Sequence, residues 1–69
     1  MSTCQITVNG TTRDVPRMTS LPSVVAELTD ATTGIAVAVN SEVVPRSRWV
    51  DTLLQDGDAV EVITAMQGG

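Results

Sequence analysis

The chain contains no histidine, tyrosine, phenylalanine or lysine, and it has one cysteine, Cys4, and one tryptophan, Trp49. Without histidine, the side chain most often used as a general base is missing. A single cysteine cannot close an intrachain disulfide, hold an iron–sulfur cluster or build a thiolate zinc site. All four basic residues are arginine, so no side-chain amine is offered as an isopeptide acceptor. Eight acidic residues outweigh them and leave a net charge of −4. That sign suits neither a nucleic-acid backbone nor an anionic membrane surface. The start, Met1-Ser2-Thr3-Cys4-Gln5-Ile6, shows no basic leader and no long apolar run, so neither a signal peptide nor a membrane span is expected. The expectation is a cytoplasmic chain with no metal site, no bound cofactor, no nucleic-acid partner and no catalytic activity of its own.

What is present points to a small strand-rich domain. At 69 residues the chain makes one compact unit, 1–69. A domain of that size removes only about 60% of its unfolded surface from water. Hydrophobic residues are 42% of the chain and charged residues 17%, a balance that folds. Eleven valines, three isoleucines and ten threonines favour strands, because β-branched side chains suit a pleated surface. With one aromatic residue, the core must be aliphatic.

Cys4, Ile6 and Val8 alternate with Gln5 and Thr7, the period of a half-buried strand. Asn9-Gly10 follows as a hairpin turn, and Thr11 to Val15 reads as the return strand, stopped by Pro16. Leu21, Val24, Val25 and Leu28 form one apolar stripe at helical spacing, with Thr19 or Ser20 as cap and Pro22 in the first turn. So short a helix is marginal in water and must lie on a sheet. Ile35 to Val39 reads as a strand with large residues on one face and alanines on the other. Val43-Val44 is a fourth strand, and 46–54 a loop with a helical turn around Trp49. After the turn Asp56-Gly57-Asp58, Ala59 to Ala65 is the last strand. The order is β-β-α-β-β-β, and one helix can cover only one face of the sheet.

Chemistry concentrates at the end of the chain. Gly68-Gly69 is a tail without side chains, expected to be flexible over 66–69, with a carboxylate unhindered by a Cβ. The competing reading is a frayed terminus. The chain has no phosphate-binding loop of its own, so another protein must activate that carboxylate. Cys4 shares a face with Ile6 and Val8 and reads as a packing residue. Asp56 and Asp58 supply too few oxygens for a cation and read as a solvated turn with Gly57 at positive φ. Trp49 reads as cover over the core edge, flanked by Arg46 and Arg48. Ile63 breaks the polarity of its strand. With Val60 and Val62 facing the helix, Ile63 and Ala65 face outward near Ala36 and Ala38, either as a partner patch or as an isolated exposed aliphatic.

The run Ile35-Ala36-Val37-Ala38-Val39-Asn40, then Val43-Val44-Pro45-Arg46-x-x-Trp49, then Leu54-Gln55-Asp56-Gly57-Asp58, ending in Gly68-Gly69, resembles the ThiS family of thiamin-biosynthesis sulfur carriers. The resemblance covers the whole chain. It implies an α+β, β-grasp (ubiquitin-like) fold: a mixed sheet of about five strands, the first and last parallel at its centre, with one helix on one face. It implies that an E1-like adenylyltransferase, using ATP and magnesium, adenylates Gly69, with Gly68 as the adjoining tail residue. Sulfur from cysteine, through a desulfurase, would make a thiocarboxylate that thiazole synthase consumes. The candidate partner interface is Ile63, Ala65, Ala36, Ala38 and Arg46. Carriers for molybdopterin, cysteine or tRNA thiolation, and a non-carrier interaction module, are the alternatives.

Overall fold

The computed structural model describes residues 2–29 and 34–64. Alternation builds the first hairpin. Strand β1 (Thr3–Val8) buries Cys4, Ile6 and Val8, and strand β2 (Thr11–Pro16) buries Val15 opposite Cys4. Asn9 and Gly10 turn the chain between them with φ of 51° and 84°, both in the left-handed region that Asn-Gly tolerates. Pro16 sits opposite Thr3 at the end of β2, an edge strand, where its missing N–H removes nothing from the sheet interior.

Helix α1 (Leu21–Leu28) follows. Leu21, Val24 and Val25 are buried as the stripe predicts, whereas Leu28 keeps 38% of its surface exposed. Leu28 is the last helical residue, and Thr29 after it is already extended, so the final turn lies past the edge of the core. Ser20 is the N-cap, but its side chain makes no capping hydrogen bond. The Leu21 N–H instead donates to the Thr52 carbonyl at 2.9 Å, so a distant segment satisfies an orphan donor that a local hydroxyl was expected to meet.

Strand β3 (Ile35–Val39) and strand β4 (Glu42–Val43) form a second hairpin through Asn40 and Ser41, both at positive φ. The expected strand at Val43-Val44 thus begins one residue earlier, although the Val44 N–H still bonds the Val37 carbonyl at 2.9 Å. A 3₁₀ helix (Arg46–Asp51) carries Trp49 into the core, 6% exposed, with its indole N–H donating to the Val44 carbonyl at 2.8 Å. Strand β5 (Ala59–Thr64) closes the sheet in the order β2-β1-β5-β3-β4. β1 and β5 are parallel neighbours at the centre, and every other pairing is antiparallel.

The core lies between the sheet and α1. Ile6, Leu21, Val37, Leu54 and Val60 are its most deeply buried side chains, joined by Trp49 and Cys4. Cys4 is 4% exposed, and its thiol points to the Leu54 carbonyl with Sγ 3.9 Å from the oxygen, the packing role its alternation predicts. Among the described residues, no helix is long and apolar enough to cross a membrane.

Candidate functional site

The last strand leads to the Gly-Gly end of the chain, and its position follows from the pairing on both sides. Thr7 and Val8 of β1 run parallel to Ala59 and Val60, while β3 pairs antiparallel from Val39↔Val60 to Ile35↔Thr64. The pleat sends Val60 and Val62 toward the helix and Glu61 and Ile63 to the opposite face. Val60 is 1% exposed, and Val62 packs partly buried against the core.

Two turn asparagines extend these ladders with their side chains. The Asn9 N–H donates to the Val60 carbonyl at 2.9 Å, and its Oδ1 accepts the Val62 N–H at 2.9 Å. On the other flank the Asn40 N–H donates to the Ala59 carbonyl at 2.7 Å, and its Oδ1 accepts the Ala59 N–H at 3.0 Å. Asn40 Nδ2 then donates to Asp58 Oδ1 at 3.0 Å.

The Asp56-Gly57-Asp58 turn does more than face solvent. Gly57 has φ of 91°, as expected, but both carboxylates accept hydrogen bonds. Asp56 Oδ1 takes the Gln5 N–H and Asp58 Oδ2 the Gln55 N–H, each at 2.8 Å. These bonds stitch the start of β5 to β1 and to the β3–β4 turn. Replacing Asp58 by Ala should cost about 1–2 kcal/mol and lower the melting temperature by about 5–10 °C. A melting temperature within about 2 °C of the parent would show that backbone bonds alone hold the turn. Among the described residues, no group of three or more His, Cys, Asp or Glu could hold a metal ion.

The face away from the helix carries the candidate interface. Ile63 is 57% exposed and belongs to no core cluster, so it stands on the uncovered face as its place in the strand predicts. Ala36 lies directly opposite it. Ala38 lies between Glu61 on one side and Val43 on the other, and at 8% exposure it forms the floor of the patch rather than its contact surface. Val43, 69% exposed, was not anticipated and enlarges the patch across β4. Arg46 is not in this row. It is carried by the 3₁₀ helix with its guanidinium 4.9 Å from the Trp49 ring centroid, a cation–π contact. Ala65, Gly68 and Gly69 lie outside the described residues.

Sequence reasoning found the turns but missed what their side chains do. Asn9 and Val62 are 53 positions apart and Gln5 and Asp56 51 apart, so only the paired sheet brings them together.

A five-stranded mixed sheet with parallel central strands and one helix across one face defines the β-grasp class. The ThiS family model matches residues 6–69, and the chain belongs to that family. It is similar to the sulfur carrier protein ThiS of Escherichia coli (strain K12), with 39% identity over 36 residues. That stretch is 52% of this chain and 54% of the relative, about half the length of each. The crystal structure of a thiamine biosynthesis protein (ThiS) from Geobacter metallireducens is 32% identical. It covers 94% of this chain and 99% of its own, with a TM-score of 0.77.

Proposed function

We propose that the chain is a sulfur carrier for thiamin (thiazole) biosynthesis. The observation that carries this reading is the family match, which runs from Ile6, within β1, to Gly68-Gly69. In this reading the Gly69 carboxylate attacks the α-phosphorus of ATP on an E1-like adenylyltransferase and releases pyrophosphate. The terminal sulfur of a desulfurase cysteine persulfide then attacks the acyl-adenylate and displaces AMP, and a thiol reductant cleaves the resulting acyl disulfide, leaving a C-terminal thiocarboxylate that thiazole synthase consumes. Magnesium and ATP belong to the activating partner, and all three partners share a cytoplasmic location with the carrier. The chain itself contributes a handle and a reactive terminus, not catalysis. Its handle is the patch of Ile63, Ala36 and Val43 over Ala38, with Arg46 as a charged contact and Ala65 as a candidate from the sequence alone.

The test is the intact mass of the chain after incubation with a competent adenylyltransferase, ATP and a sulfur donor. Exchange of oxygen for sulfur adds about 16 Da, which methionine oxidation mimics, so the shift must be placed on the C-terminal peptide and must require ATP. Absence of the shift with a competent partner would leave an interaction module. Rescue of a thiazole-requiring strain assigns the pathway, and failure of rescue by a chain that does acquire sulfur would assign it elsewhere.

Ile63→Asp separates the handle from the fold. Because Ile63 is more than half exposed, its melting temperature should stay within about 3 °C of the parent, while the yield of modified chain at limiting partner falls at least about tenfold. Unfolding would make Ile63 a core residue, and full modification would remove it from the interface.

A further inference from the structure

The parallel pairing of β1 and β5 ends at Val8↔Val60, because the chain turns away at Asn9. Backbone pairing on the opposite flank continues to Ile35↔Thr64. Left to its main chain, the end of β5 would therefore be tied on one side only. The Val62 N–H points to the β1 side, and it is met by Asn9 Oδ1 at 2.9 Å. A side-chain carboxamide thus stands where the next strand residue of β1 would have placed a carbonyl. The left-handed backbone of Asn9, φ 51°, lets its own N–H bond the Val60 carbonyl while the side chain reaches one rung further. One residue spans two rungs of the ladder.

We infer that Asn9 is a positioning residue: its carboxamide holds β5 on the β1 side through Val62 and so fixes where, and in which direction, the strand departs toward Gly68-Gly69. The consequence for transfer chemistry rests on the proposed carrier function; the clamp itself does not. An acyl terminus that must enter a partner's site gains from a strand end fixed at both flanks, because fewer conformations are lost on entry. Asn-Gly as a turn signal requires only that position 9 accept positive φ. The side-chain bond adds a demand that glycine cannot meet and aspartate can, since a carboxylate also tolerates the left-handed region and accepts from an N–H.

The experiment compares the parent chain with Asn9→Gly and Asn9→Asp. Two measurements are made on each: amide hydrogen exchange by NMR on the full chain, and steady-state kinetics of ATP-dependent modification by the activating partner. In Asn9→Gly, exchange at Val62 should be about tenfold faster, the net worth of roughly one hydrogen bond, while the amide at position 9 keeps its protection because the turn is retained. KM for the partner should rise about three- to tenfold with kcat within about twofold, the signature of lost pre-organisation rather than lost chemistry. Asn9→Asp should restore both. Unchanged exchange at Val62 in Asn9→Gly overturns the clamp. Faster exchange with parental KM overturns its role in presenting the terminus. A parent chain that a competent partner leaves unmodified overturns the carrier function instead, and the Val62 exchange then decides the clamp by itself.

Discussion

Deletion of Gly69 is expected to reduce ATP-dependent modification of the C-terminus by more than about a hundredfold while leaving the melting temperature unchanged. The shortened chain still ends in a glycine carboxylate, so the loss does not come from a change of functional group. It comes from reach. An extended residue spans about 3.3–3.6 Å, and reacting atoms must approach to about 3–3.5 Å, so one missing residue withdraws the carboxylate by a whole reaction distance. The described strand pairings run no further than Thr64, and the deletion removes none of them. Gly69→Ala keeps the length and adds only a Cβ beside the carboxylate, so its rate should fall between the parent and the deletion. The readout is the mass of the C-terminal peptide together with thermal melting of the same sample. A deleted chain modified at the parental rate would end the carrier reading, whereas a deleted chain that melts early would show that the terminus supports the fold.

Leu21→Ala should lower the melting temperature by about 15 °C or more. Leu21 is wholly buried at the start of α1, where it meets the core shared with Leu54 and Trp49. A buried Leu-to-Ala change costs about 3 kcal/mol or more through lost transfer energy and the cavity left behind. A domain of this size has roughly 3–10 kcal/mol in total. The eight-residue helix has little stability of its own, so losing its anchor loosens the α-helix that covers the sheet. Leu28→Ala is the matched control, since that side chain is 38% exposed and its loss should cost less than about 1 kcal/mol. Equal effects at the two positions, measured by thermal and denaturant unfolding, would show that the helix does not dock as described.

Legibility followed the range of the interactions. The first hairpin was readable because alternation and Asn-Gly are local, and the helix stripe because its period is local. Leu28 shares the apolar stripe yet stands partly exposed, because spacing says which residues share a face, not where the facing layer ends. The same limit explains Val43. An alternating pattern marks a strand but does not say that its outward valine will stand beside Ala38 and enlarge an apolar patch. Asp56 and Asp58 read as solvated because a turn sequence names no partner, whereas in the fold they accept the Gln5 and Gln55 N–H groups.

By itself, then, the sequence determined the order of the elements, the inward set Cys4, Ile6, Val8, Val37 and Val60, the absence of a histidine base, and the family through its ordered motifs ending in Gly68-Gly69. Each is a matter of residue type and short spacing. Only the tertiary structure decided that Val43 stands exposed beside Ala38, that Ala38 is covered while Arg46 stacks on Trp49, and that Asn9 and Asn40 grip β5 from its two flanks. Those facts depend on which strands become neighbours and in what register, and register is set by the burial of all the strands together rather than by any one segment.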